Sequence, residues 1–214
     1  MMKRFSTSCC LITFFLLNSV MLYAQHENTS VQQWKIEDES RALQMIERAD
    51  TVELIVPGGL TMWYQQRLTG DYEINYRICM VMKGGKYDPD NLFARSEWRN
   101  GVFKNYNTLD IFYVGYGGND NSTTRFRRYN GKYYGVADDK VKPLLREYTD
   151  TSHLLVPNQW YQISIRVQKG VTTYSVNGEE LFRYSITGSE GDGHFGLRLL
   201  QNHVLFTDFK VTIF

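Results

Sequence analysis

The chain has 214 residues, with 24 Lys and Arg against 23 Asp and Glu, a near-neutral balance that argues against nucleic acid as the main ligand, which would favour a strongly basic face. Of its three cysteines, Cys9 and Cys10 lie in an N-terminal leader and only Cys79 lies beyond it. One thiol cannot close an internal disulfide, so the fold must rest on a hydrophobic core, with Cys79 as a small buried hydrophobe.

The leader is residues 1–24. Lys3 and Arg4 form a basic start, a mostly apolar run follows from Leu11 to Tyr23, and Ala24 is a small residue at the expected cleavage point. This is the pattern of a secretory signal peptide. The run falls short of the roughly 20 apolar residues that span a bilayer, and the two cysteines precede it, whereas a lipidated cysteine would follow it. Cleavage after Ala24 removes two bases, leaving 22 against 23 acids and a net charge of −1. A secreted or periplasmic protein without membrane insertion is expected.

Residues 25–33 are polar and expected to be flexible; residues 34–214 carry no linker, repeat or low-complexity block and are expected to form a single β-sandwich domain. Strands are predicted over 60–68, 72–82, 109–116, 161–168, 172–176 and 204–213, where β-branched and aromatic residues are bounded by Gly, Asn and Asp. In 72–82 the larger apolar groups Tyr72, Ile74, Tyr76, Ile78, Met80 and Met82 occupy alternate positions, which puts them on one face. Lys169-Gly170 and Asn177-Gly178 read as tight hairpin turns, because both accept the positive φ such turns need. Residues 39–49 disagree locally: Ala42, Leu43, Met45, Ile46 and Ala49 follow helical spacing.

Candidate functional residues crowd into 91–134. Aromatic rings such as Trp98 and Tyr113 can stack on sugar faces, and the planar groups of Arg and Asn suit hydroxyls and carboxylates. Three glycines in Gly115-Tyr116-Gly117-Gly118 imply a bend that presents Asn119 and Asn121. Arg125 and Arg127 share a face under strand alternation, a pair that suits an anion such as a uronic-acid carboxylate. Tyr113 and His203 are the candidate proton carriers, and Trp98, Asn119, Asn121, Arg125, Arg127 and Arg198 the candidate substrate contacts. The expected partner is an oligo- or polysaccharide. No His, Cys or acidic cluster has metal-ligand spacing, no cofactor is expected, and no Gly-x-Ser-x-Gly elbow occurs.

The segments 63–72, 113–119 and 123–129, together with Pro143-Leu144-Leu145, Leu154-Leu155-Val156-Pro157-Asn158 and Gly193-His194-Phe195-Gly196-Leu197-Arg198, resemble a secreted Bacteroidetes family of concanavalin A-like proteins linked to polysaccharide utilisation. That family is similar to YesU-like proteins of rhamnogalacturonan-degradation operons. The resemblance implies an all-β, concanavalin A-like jelly-roll β-sandwich of two antiparallel sheets, with β structure in 39–49 paired to 52–56. It also implies an exported carbohydrate-active protein that binds a glycan and cleaves it by hydrolysis or β-elimination, or a non-catalytic binding module or surface-complex component. Arg95-Ser96-Glu97-Trp98-Arg99 resembles a strand motif of jelly-roll alginate lyases, whose companion motifs are missing.

Overall fold

The computed structural model describes residues 25–27, 31–81, 94–99 and 106–214, the side chains of residues 25–27, 94–99, 106, 120 and 138 excepted. In chain order the strands are β1 Gln25–Glu27, β2 Trp34–Asp38, β3 Gln44–Arg48, β4 Thr51–Tyr64, β5 Tyr72–Met80, β6 Ala94–Arg99, β7 Asp110–Gly117, β8 Thr123–Asn130, β9 Leu144–Tyr148, β10 Trp160–Gln168, β11 Val171–Val176, β12 Glu179–Ser185 and β13 His194–Ile213. Two one-turn helices, α1 Gly118–Asn121 and α2 Asp138–Val141, sit in connections. No helix among the described residues is long and apolar enough to cross a membrane.

The architecture follows from two long strands. Nearly the whole of β4 pairs antiparallel with residues 196–207 of β13, and both bend at the same level. In β4 the bend falls at Pro57-Gly58-Gly59. In β13 the register shifts between Leu200 and Asn202, Gln201 adopts a left-handed φ of 50°, and the Asn202 side chain accepts from the Leu200 N–H at 2.7 Å. Such a bulge bends a strand sharply.

Past the bend the two strands enter a different sheet. Residues 194–199 of β13 pair with β6 and residues 204–213 pair with β5. Among the described residues the first sheet therefore runs β12-β11-β10-β5-β13-β4-β3 and the second runs β9-β8-β7-β6-β13-β4-β2. All pairings are antiparallel, giving the expected two-sheet jelly-roll sandwich. The turn around Gly70 joins β4 to β5 without pairing them, because β13 lies between them in the first sheet.

The inner faces interdigitate. Tyr72, Ile74, Tyr76, Ile78 and Met80 of β5 and Tyr161, Ile163, Ile165 and Val167 of β10 all enter the core, and between them Glu73, Asn75 and Arg77, and Gln162, Ser164 and Arg166, face out. Trp34 sits at the centre, edge-on to Phe206 at 5.6 Å and Phe209 at 4.7 Å between ring centroids. Lys169 and Gly170, and Asn177 and Gly178, all take positive φ, the geometry of the tightest hairpin turns, and they close β10–β11–β12 as predicted.

Residues 44–48 are strand, paired with β4 from Gln44 opposite Ile55 to Arg48 opposite Thr51. Only Met45 and Leu43 of the helical-looking set pack against the core, while Ile46 is 37% exposed on the other face. Partnership with β4 thus overrides the local helical spacing. The segment expected to be flexible carries β1, paired with residues 210–212, and a 3-10 turn at Val31–Gln33. Cys79 is buried, which pushes its thiol up.

Candidate functional site

The second sheet carries the site on its outward face. In β7, Phe112, Val114 and Tyr116 enter the core, so Ile111, Tyr113 and Gly115 face out; in β8, Phe126 enters it and Arg125, Arg127 and Tyr129 face out. Register then sets neighbours: Gly115 lies opposite Arg125, Tyr113 opposite Arg127 and Ile111 opposite Tyr129. Directly opposed residues have Cβ atoms about 4.5–5.5 Å apart. A small apolar cluster of Leu109, Ile111 and Tyr113, with Tyr129 against it, floors this face. The Tyr113 and Tyr129 rings meet edge-on at 5.5 Å. A side chain at Gly115 would press on the Tyr113 hydroxyl, since a Cβ there would lie 3.0 Å from it.

The turn from β7 to β8 takes left-handed φ at Gly117, Asn119 and Asn121, at 71°, 52° and 55°. Glycine and asparagine are the residues that adopt it most readily. The two asparagines then part company. With its amide oxygen turned to Arg125, Asn119 accepts from Nη2 at 2.7 Å and Nη1 at 3.1 Å. Asn121 turns inward, donating to the Leu155 carbonyl and accepting from the Leu155 N–H, both at 2.8 Å.

Arg125 also donates from Nε to Glu147 Oε1 at 2.5 Å. Arg127 donates from Nη1 to the Lys142 carbonyl at 2.9 Å. Together Tyr113, Gly115, Gly118, Asn119, Arg125, Arg127, Tyr129 and Lys142 enclose an open pocket of roughly 190 Å³. Sites that enclose a drug-sized ligand run to roughly 300–1,000 Å³, so this one suits a single sugar ring.

Four of the predicted residues, Tyr113, Asn119, Arg125 and Arg127, therefore converge in one pocket. Asn121 does not reach it, because its amide is committed to Leu155. Replacing Asn121 by alanine should cost about 1–3 kcal/mol, the penalty for stranding the buried Leu155 groups; urea unfolding will measure it, and a loss below 0.5 kcal/mol would show that the contact is dispensable. Arg198 lies on the same sheet, three strands from Arg125 and so about 14 Å away. Its Nη1 donates to Glu39 Oε1 at 2.6 Å and Thr61 at 3.3 Å.

His203 lies elsewhere. It follows the β13 bend, alternates with the core residues Asn202 and Val204, and faces out from the first sheet, with Nε2 2.8 Å from Glu53 Oε1. The pairing of Tyr113 with His203 as proton carriers is thus corrected: a sheet-to-sheet crossing separates them. Trp98 is opposite Phe195 in β6, and its side chain lies outside the described residues. The pocket residues that sequence reasoning missed are Lys142 and Glu147's partnership with Arg125. Lys142 arrives through the β8–β9 connection, which has no periodic signal, and Glu147 through its register opposite Arg125 in β9. Among the described residues no group of three or more His, Cys, Asp and Glu could hold a metal ion.

A second ionisable cluster lies behind this turn. His153 Nδ1 is 2.7 Å from Asp150, Nε2 is 3.3 Å from Glu179, and the ring stacks on Tyr148 at 4.0 Å; the Arg146 guanidinium lies 4.8 Å from that Tyr148 ring. Burial pushes His153 down, and the hydrogen bonds to Asp150 and Glu179 outweigh it, leaving the imidazole above its ordinary value. Its contribution to stability is full below about pH 6.5 and is lost as pH rises through the elevated folded value. Melting temperature should therefore fall more between pH 5.5 and 8.5 in the wild type than in His153→Gln; parallel curves would contradict the assignment.

Residues 54–209 match the family described as Domain of unknown function (DUF6250). The chain belongs to that family. No curated protein matches this DUF6250 sequence. Among solved structures it is similar to the carbohydrate-binding module CBM66 from Bacillus subtilis, with 9% identity, TM-score 0.57 and coverage of 85% of this chain and 96% of the other. A Bacillus subtilis protein of unknown function with a galectin-like fold gives 12% identity, TM-score 0.61 and coverage of 85% and 90%. A native glycosidic hydrolase gives 10% identity, TM-score 0.55 and coverage of 89% and 95%. At these identities the likeness establishes the fold of this DUF6250 chain and leaves its chemistry to its own residues.

Proposed function

We propose that the protein is an exported carbohydrate-binding protein that seats one sugar of an acidic, pectic-type glycan in the pocket between β7, β8 and Lys142. The observation that carries this reading is the convergence of Tyr113, Asn119, Arg125, Arg127 and Tyr129 on one outward sheet face. Tyrosine rings offer stacking surface, and Asn and Arg offer the directional hydrogen bonds that hydroxyls and carboxylates require. The fold is one that a carbohydrate-binding module and a glycosidic hydrolase also adopt. Residues 1–24 fit export to the periplasm or the medium, and the resemblance to YesU-like proteins fits a pectic glycan.

Cleavage is the second reading, and the pocket favours one route. Hydrolysis needs two carboxylates flanking the bond, and among the described pocket-lining residues there is none; Glu147 beside it is held by Arg125. β-Elimination needs a cation against the uronate carboxylate and a proton acceptor beside it. Arg127 and the opposed Tyr113 are of those types. The purified protein should be titrated with pectic, other uronate and neutral glycans while unsaturated product and reducing ends are both recorded. Binding to uronate glycans is expected. Unsaturated product would add elimination, binding without product would make the protein a non-catalytic binder, and binding to none of the panel would overturn the reading.

A further inference from the structure

The two pocket arginines are not equivalent. Each of the three nitrogens of Arg125 already has a protein acceptor: Glu147 takes Nε, and Asn119 takes both Nη groups. Its charge is offset by the Glu147 carboxylate. Arg127 is tied at one point only, Nη1 to the Lys142 carbonyl. Among the described residues its Nε and Nη2 have no acceptor and its charge has no carboxylate partner.

That single tie matters chemically. It fixes the guanidinium plane while leaving the Nε–Nη2 edge open, and this edge presents two parallel N–H donors that match the two oxygens of a carboxylate. The Lys142 ammonium belongs to the same pocket and also has no ion pair among the described residues. Among the described residues, three cations in the pocket lining and one carboxylate beside it, Glu147, leave two positive charges in excess. Arg127 and Lys142 carry that excess.

The geometry points to Arg127 and Lys142 as an anion subsite that receives an acidic substituent on a sugar ring, either a carboxylate or a sulfate ester, with Arg125 holding Asn119 and taking no part in charge recognition. This rests on the reading of the pocket as a glycan site. The opposed Tyr113 then lies beside the ring that bears the anion. Selection for acidic over neutral or esterified sugars belongs to Arg127, and the preference for carboxylate over sulfate follows from how well each fits the two-donor edge.

Arginine Nε–Hε NMR spectra of the full mature protein, titrated with D-galacturonate, its methyl ester and D-galactose 6-sulfate, test this directly. The Arg127 resonance should move with galacturonate and with the sulfate, and not with the ester. R127Q should weaken galacturonate about tenfold or more, as loss of a charge-assisted pair implies. R127K, which keeps the charge without the fork, should fall between, and K142Q should weaken both anions. E147Q should leave galacturonate binding intact or strengthen it. An Arg127 signal unmoved by either anion, or R127Q binding galacturonate as the wild type does, would overturn the assignment whatever polymers bind. Anion binding at Arg127 in a protein that captures no glycan polymer would instead leave the subsite standing and remove the glycan reading.

Discussion

Replacing Phe206 by alanine should destabilise the protein by about 3–5 kcal/mol, the range for emptying a buried phenylalanine site. Phe206 is fully buried, and its ring lies 5.6 Å from Trp34, 5.6 Å from Tyr76 and 6.0 Å from Phe209. It sits on β13 just past the bend, so its cavity would open where both long strands change sheet and neither can relax alone. Stability of such domains is typically about 5–15 kcal/mol, so the variant should retain only part of its cooperative transition. Urea denaturation gives the number through the midpoint and slope. A loss below about 1.5 kcal/mol would mean that the aromatic cluster is not the keystone of the core.

Gly196→Ala should cost about 1–3 kcal/mol, the usual penalty of an overpacked site. The outward position 196 lies opposite Trp63 in the β13–β4 ladder, and a Cβ there would overlap the six-membered part of the indole. The ring has little freedom to yield: Trp63 is 4% exposed and its Nε1 donates to Glu37 at 3.0 Å. Displacing the ring should also shift the Trp63 indole N–H resonance, separating a local clash from general destabilisation. An unchanged midpoint together with an unmoved indole signal would contradict the packing described.

Much of the fold was legible because strand alternation and turn chemistry are local. The strand of residues 72–80 and the turns at Lys169-Gly170 and Asn177-Gly178 needed no tertiary information. The pattern over 39–49 was misleading for the opposite reason. An edge strand half in contact with the core shows few inward residues, and Met45 with its neighbours imitates helical spacing by chance. The length of β13 was also hidden, since its bend at Gln201 divides one strand into two apparent segments.

The same bend explains why the site was legible only in part. Arg198 and His203 are five positions apart on one strand, yet the crossing sends the first to the face of the second sheet and the second to the face of the first. Composition near His203 held no trace of this. Arg125, Arg127 and Tyr113 were found because alternation alone puts them outward. Asn119 and Asn121 looked alike in the sequence, and only the left-handed turn sends one to Arg125 and the other to Leu155.

Hydrogen–deuterium exchange on the protein with and without a bound pectic oligosaccharide bears most directly on the central claim. The ligand should slow exchange in residues 111–130 and around Lys142, where β7, β8 and their turn line the pocket, and leave residues 203–207 of the first sheet unchanged. Protection centred on His203 and Glu53 instead, with the β7–β8 region unaffected, would place the glycan on the wrong face for this account and contradict it.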